Sequence, residues 1–369
     1  MEPKIIEITE QSDILRFTLA GVNVSLANAL RRVILSEIPC NVIRTETFEE
    51  NQCNIITNTS RLHNEILKQR LSCIPIHTDI HTLDLLPNNY TLEVKMKNDT
   101  DSMMIVTTEH FKLKNKENDH YVTENETRKI FPPDTKTGAY IDFARLRPKI
   151  SDTIPGEELH LVADFSIGNA KLNSMFNVVS KCAYGNTPDM EKIDAEWKKR
   201  KDDLIKQQST NEQIEFHKKN FYLLDAQRYY KDNSYDFVVK SVGVYENKTI
   251  VKKGIKILQE KLEQFSGDVN SGKTQILNSD VTMDNCFDIY LHDEDYTLGK
   301  VLEYLLYEKY YMGNKQLSFC GFKKIHPHDP YSIIRIAFNE KVDKSVVKQL
   351  LEHVSSDAHG IYKKMYDLF

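Results

Sequence analysis

The sequence predicts an α+β fold: two related half-units of antiparallel strands and packed helices forming an intramolecular pseudo-dimer, with a mostly β domain inserted in the first half. Three observations predict it. Residues 25–34, SLANALRRVI, and 297–306, TLGKVLEYLL, share one cadence, with Leu26, Leu30, Val33, Ile34 and Ile38 matched by Leu298, Leu302, Leu305, Leu306 and Tyr310. Residues 247–251, NKTIV, and 343–347, DKSVV, form a second matched pair, each leading into a helical run. An alternating, strand-like stretch precedes each of the four helices: ILRFTLAG (14–21), SYDFVVKSVGVY (234–245), NCFDIYLHD (285–293) and YSIIRIAFNE (331–340).

In the opening pair the apolar spacing is that of one face of an α-helix, so each stretch reads as an amphipathic helix. Ser25 and Thr297 are placed to cap them, their hydroxyls accepting from first-turn N–H groups. The order strand, helix, strand, helix thus occurs twice, and the first copy holds about 176 additional residues, enough for an inserted domain. The expected organisation is a first dimerisation unit from 1–47 and 180–265, an insertion at 48–179, a linker at 266–284 and a second dimerisation unit at 285–369. The ten apolar residues named above are the expected seam, each worth about 1.5–3 kcal/mol on burial before ordering entropy is subtracted. Arg31 lies about 100° from the middle of its stripe and Arg32 nearly opposite it, whereas their counterparts are Glu303 and Tyr304. The shared face is therefore expected to join the halves, and the arginines to face a partner's carboxylates or carbonyls.

Composition narrows the function classes. Hydrophobic residues make up 40% of the chain and charged residues 28%, as in a soluble globular protein. Lysine and arginine number 49 against 54 acidic residues, a net charge of −5, which argues against a protein devoted to gripping phosphate backbone. Six dispersed cysteines with no C-x-x-C pair predict free thiols in a reducing compartment. The lack of any long apolar run predicts an intracellular, soluble chain with no membrane association.

NVSLANALRRVILSEIP (23–39) followed by RLHNEILKQRLSCIPI (61–76) closely resembles the signature of the α-like subunits of cellular RNA polymerases: the bacterial α N-terminal domain, the archaeal D polypeptide and the third-largest subunit of RNA polymerase II. GEELHLVADFSIGNAKLNSMFNVVSKCAYGN (156–186) and SYDFVVKSVGVYENKTIVKKGIKILQEKL (234–262) continue the likeness. DEDYTLGKVLEYLL (293–306) with FCGFKKIHP (319–327) looks like the smaller partner, the archaeal L polypeptide or the eleventh subunit of polymerase II, through Asp295, Thr297, Gly299, Gly321, His326 and Pro327. Both in one chain resembles the polymerases of large cytoplasmic DNA viruses such as mimivirus, which implies a virion and host-cytoplasm location. The resemblance implies a non-catalytic assembly platform in a DNA-directed RNA polymerase. It puts Asn28, Arg31, Arg32, Glu65, Arg70, Ile74, Pro75 and Lys171 at the docking contact with the second-largest, β-like subunit, and turns the smaller half toward the largest, β′-like subunit. Small zinc-binding subunits of the tenth and twelfth type are further implied partners, with little direct DNA contact and no small-molecule substrate. This chain departs from the family pattern in its cysteines, with only Cys53 and Cys73 near the insertion, so neither zinc nor any other cofactor is expected; Tyr296 and Lys300 also stand where the smaller partner usually has His and Asn.

Three other signals compete. GDVNSGKT (267–274) matches G-x-x-x-x-G-K-[ST], but a phosphate loop follows a strand and opens a helix, whereas here a helical run precedes it and a polar stretch follows. The pairs His77/His81 and His326/His328 lack a third metal ligand at useful spacing. AEWKKRKDDLIKQQ (195–208) mixes both charges and reads as a solvated helix or lid. A nucleic-acid-binding adaptor is the alternative function from another class, with a P-loop NTPase behind it.

Overall fold

The computed structural model describes residues 1–151, 153–279 and 283–369. The chain opens with strands β1 (Lys4–Gln11) and β2 (Ile14–Ala20), helix α1 (Val24–Ser36) and the short strand β3 (Cys40–Val42). Next come β4 (Cys53–Asn58), α2 (Asn64–Ser72), α3 (Leu85–Asn89), β5 (Tyr90–Lys97), β6 (Met104–Thr107), β7 (Lys112–Asn115), α4 (Glu124–Ile130), β8 (Asp142–Leu146), β9 (Glu158–Asp164) and β10 (Ser166–Gly168). They are followed by β11 (Val179–Pro188), α5 (Met190–Lys206), α6 (Asn211–Leu223), β12 (Tyr230–Ser241) and α7 (Asn247–Asn270). The last part holds β13 (Ile276–Asn278), β14 (Cys286–His292), α8 (Tyr296–Leu306) extended by a π-helical turn (Tyr307–Gly313), β15 (Leu317–Lys323), β16 (Tyr331–Phe338) and α9 (Lys344–Asp367).

Contacts divide the chain into two compact units. One comprises Met1–Val33, Lys181–Lys240 and Val251–Phe369; the other comprises Ile34–Ser180 and Ser241–Ile250. The second therefore takes in more than the expected 48–179 insertion, beginning inside α1.

The first unit holds two four-stranded sheets of the same order, β1-β2-β12-β11 and β13-β14-β16-β15. In each, the strand before the first helix pairs antiparallel with the strand before the second, β2 with β12 and β14 with β16. The parallel extends to lengths: β2 and β14 are both 7 residues, and α7 and α9 are both 24. The segment expected as a linker is more ordered than its composition suggests. Helix α7 runs to Asn270, and Ile276–Asn278 pairs with β14 as an edge strand, matching β1 beside β2. Residues 280–282 of that segment lie outside the described residues.

Alternation carries the second sheet's core: Cys286, Phe287, Ile289, Leu291, Ile334 and Ile336 are buried. On the opposite face from Phe287 and Ile289, buried Asp288 stands across from half-buried Arg335 on the adjacent strand, joined by two hydrogen bonds of 2.6 Å from Nε and Nη2. Helix α8 packs on β15 and β16 through Gly299, where a Cβ would lie 2.0 Å from the Phe322 ring, closer than real contacts allow. The expected amphipathic helix α1 is instead enclosed almost all round: Leu26, Ala27, Ala29, Leu30, Val33 and Ile34 are buried, and along it only Val24 is exposed.

Between β11 and β12 the chain makes a helical hairpin of α5 and α6 with a miniature core of Ile193, Phe221 and Ala226, flanked by Trp197 and Tyr229. Arg200 lies 4.7 Å from the Phe221 ring centroid and pairs with Asp225, so one of the charges in 195–208 serves packing, not solvation alone.

The second unit has a four-stranded sheet, β4-β9-β5-β7, with two-stranded pairs β6-β8 and β10-β3. Its core gathers Leu67, Leu71 and Ile74 from and after α2 with Leu92, Val94, Phe143 and Leu161 from the strands and Phe111 just before β7.

Candidate functional site

Neither predicted cap is the cap. Helix α1 is capped by Asn23, whose Oδ1 accepts from Ser25 N at 2.9 Å, and α8 by Asp295, whose Oδ1 accepts from Thr297 N at 2.8 Å. Ser25 and Thr297 sit inside the first turn. Asn and Asp caps accept as well as Ser and Thr do, and at Asp295 the backbone is extended, as a cap requires.

These caps build a reciprocal contact. Arg32, on α1, donates from Nε to Thr297 Oγ1 at 2.9 Å and from Nη2 to Asp295 Oδ2 at 2.6 Å. The cap of α1, Asn23, in turn lies near the phenol of Tyr304 on α8, where it opposes the rise to about 12 that burial first and Glu308 second give that phenol. Asn23 and Asp295 are separated by the same offset as Ser25 and Thr297, and so are Arg32 and Tyr304. In both helices the cap and the residue nine positions on thus occupy matched places along the chain. Arg32 is not turned outward as the helical wheel suggested, because a wheel measures distance from one apolar stripe and α1 is packed on several sides.

Further contacts join the same parts of this unit. Tyr362 of α9, fully buried, donates from its hydroxyl to the Leu26 carbonyl of α1 at 3.2 Å. Ser355 Oγ donates to the Leu262 carbonyl of α7 at 2.9 Å, and Phe369 meets Phe17 edge-on with centroids 4.9 Å apart. Lys261 pairs with Glu294 at 2.7 Å. All ten residues expected at the seam are buried, none more than 6% exposed.

The other predicted docking residues divide. Arg31 remains half-buried, its Nε held by Asn28 Oδ1 at 2.9 Å on the same helix, with its charge close enough to oppose the burial that pushes the Cys182 thiol up to about 12. Glu65 and Lys171 are exposed and Pro75 is half-buried. Ile74 is not available to a partner, because it fills the core of the second unit. Arg70 donates from Nε to the Phe143 carbonyl at 2.8 Å and from Nη2 to the Asp142 carbonyl at 2.7 Å, holding the edge of β8. In the motif of the smaller half, Tyr296 stacks edge-on against Phe322 with centroids 5.1 Å apart, Lys300 pairs with Glu303 at 2.8 Å, Gly321 is half-buried, and His326 and Pro327 lie in an exposed turn.

The 267–274 match is the reverse of a phosphate loop. It is the C-terminal end of α7, where Ser271 N donates to Gly267 O, Gly272 N to Val269 O and Thr274 N to Asp268 O. Gly272 takes φ +77°, as helix-ending glycines do, and Lys273 reaches back to Asp268. Carbonyls, not N–H groups, converge at such an end, so an anion is repelled. Among the described residues no three His, Cys, Asp or Glu side chains gather as a metal site, and no helix is long and apolar enough to cross a membrane. All six cysteines are free, and burial pushes Cys40, Cys182 and Cys320 up to about 12.

The half of the chain that carries α1 has known relatives. Residues 16–262, well over half the chain, match the family described as RNA polymerase Rpb3/Rpb11 dimerisation domain. The chain belongs to that family. It is 36% identical over 107 residues to DNA-directed RNA polymerase subunit Rpo3 of Thermococcus kodakarensis, covering 28% of this chain and 38% of the relative. It is 28% identical over 198 residues to the Rpo3 subunit of Methanosphaera stadtmanae, covering 52% of this chain and 64% of the relative. A third relative is the RNA polymerases I and III subunit rpac1 of Dictyostelium discoideum, 38% identical over 108 residues, 27% of this chain and 29% of that one. The aligned part thus spans from under a third to just under two thirds of these relatives' lengths. The Rpb3/Rpb11 match ends within α7, leaving β13 to α9 outside it.

A double-mutant cycle measures the reciprocal contact. Each partner of the Arg32–Asp295 pair is about a third exposed, so the expected coupling between Arg32→Ala and Asp295→Ala is about 1 kcal/mol. Losses of amide hydrogen-exchange protection along α1 and α8 that simply add in the double variant would show that the pair does not hold the helices together.

Proposed function

We propose that the chain is a non-catalytic assembly subunit of a multisubunit DNA-directed RNA polymerase. Its Rpb3-like and Rpb11-like halves pair within one polypeptide and dock the second-largest and largest subunits, with small zinc-binding subunits alongside. The observation that carries this reading is the reciprocal cap contact, Asp295 with Arg32 and Asn23 with Tyr304, between the family-matched half and a half of identical sheet order beyond the match. Pairing in one chain acts at an effective concentration of about millimolar, so no second copy is needed. Joined halves of this kind, by their resemblance to polymerases of large cytoplasmic DNA viruses, point to a viral enzyme carried in the virion.

With Arg32 engaged inside the chain and Ile74 buried, Arg31 is the docking residue of the first helix, with Glu65, Pro75 and Lys171 the accessible members of the other segment. Tagged chain purified from its native source is expected to bring the two largest polymerase subunits with it. Arg31→Glu is expected to reduce their recovery at least about fivefold, the loss of one charge-assisted contact, while the circular dichroism of the chain stays unchanged. Absence of both large subunits from the wild-type eluate would sink the reading; their full retention by Arg31→Glu would reassign the docking contact alone.

A further inference from the structure

The second unit carries a cationic cavity of about 440 Å³ that the polymerase reading does not use. Arginines 61, 70, 145 and 147 line it, around a floor that includes Phe143 and Ala144. Two of them are fixed. Arg70 spends two of its five donors on the β8 carbonyls, and Arg147 is held by Glu157 through Nε at 2.5 Å and its backbone N at 2.7 Å. The other two are available. Arg61 is exposed and makes no hydrogen bond or ion pair among the described residues, and Arg145 reaches its nearest carboxylate, Asp142, only at 3.9 Å. Asp142 is the one carboxylate among the described lining residues, so positive charge is in excess. Met103, 57% exposed, stands at the rim, with Leu62 beside Arg61.

We propose that this cavity is a docking site for a partner polypeptide segment that carries a carboxylate next to an apolar side chain. The exposed guanidinium forks of Arg61 and of Arg145, the latter only loosely paired with Asp142, take the carboxylate, and Met103 and Leu62 at the rim take the apolar group. Nucleic acid fits less well. A phosphate backbone brings nothing to the apolar rim at Met103, a cavity of this volume does not track a strand, and the chain's net charge is −5. Addition of the partner as a β-strand is excluded along the part of β8 whose carbonyls Arg70 already occupies, so side chains carry the recognition.

The proposal holds whether or not the chain enters a polymerase, since purified protein and synthetic probes test it. A fluorescein-labelled peptide of Asp-Leu-Glu repeats is titrated with the full chain by fluorescence anisotropy, beside its Asn-Leu-Gln counterpart and a labelled oligothymidine. The acidic peptide is expected to bind, the neutral one to bind at least about tenfold more weakly, and the affinity to fall as salt rises. Arg61→Glu with Arg145→Glu is expected to abolish the difference between the two peptides. Both side chains are exposed, so circular dichroism is expected to stay unchanged. Met103→Asp supplies an independent variant that weakens the acidic peptide through the apolar rim. Equal binding of acidic and neutral peptides, or binding unaffected by the double substitution, overturns the proposal. Oligothymidine binding more tightly than the acidic peptide overturns it in favour of a nucleic-acid site.

Discussion

Replacing Tyr362 with alanine is expected to cost about 3–5 kcal/mol, the range for deleting a buried aromatic side chain. The ring is fully buried on α9, and its hydroxyl donates to the Leu26 carbonyl of α1, so one deletion opens a cavity between the first helix and the last. Tyr362→Phe keeps the ring and removes only the hydroxyl, with an expected cost of about 1 kcal/mol. A chain of two compact units is not expected to unfold in one step. The informative measurement is therefore amide hydrogen exchange followed by mass spectrometry, read separately for each element. In Tyr362→Ala, α1 and α9 are expected to lose protection together, although they stand at opposite ends of the sequence. Faster exchange confined to α9 would mean that the C-terminal helix folds without the N-terminal one.

Asp288→Ala is expected to cost about 1.5–3 kcal/mol, because it removes the carboxylate that accepts two charge-assisted hydrogen bonds from half-buried Arg335. Asp288 is 7% exposed and both of its oxygens accept from the guanidinium. Replacing both partners with apolar residues of similar volume is expected to recover most of that loss, since the penalty comes from the orphaned charge. The pair also sets an acid limit. Burial pushes the Asp288 carboxyl up, but the Arg335 donors and charge, with Ser279, together hold it below its ordinary value. A carboxyl whose folded pKa is depressed adds stability at pH values above its unfolded pKa and loses it as pH falls through the folded one. Protection of β14 and β16 is thus expected to hold at neutral pH and to drop below the ordinary carboxylate range. In Asp288→Asn that acid-dependent step is expected to shrink; an unchanged step would assign acid lability to other groups.

Much of the architecture was legible in the sequence because amphipathic spacing repeats. The four strand-like stretches and the four helices that follow them fall where alternation and helical periodicity put them, and their echo fits two sheets of one order. The strands of the second unit were less legible: short, partly exposed runs such as β6 and β8 carry too few residues for a period. The edge strand β13 looked like linker because Asn, Ser and Gly surround only three ladder residues. The caps were displaced by two residues because two capping-competent side chains stand near each helix start. Applying the echo to its flanks would have found them, since Asn23 and Asp295 share its offset.

The shared apolar stripe, the duplicated order of elements and the family signature are all properties of local spacing, readable along one chain. Only the tertiary structure decided which way Arg32 points, that Ile74 lies in a core and not on a surface, and that Asp288 meets Arg335. The physical reason is the range of the information. Periodicity states which side chains share a face of their own element, whereas a guanidinium's partner depends on what other elements bring within about 3 Å of it. Such partners lie far along the chain, as Leu26 and Tyr362 do, and no local pattern connects them.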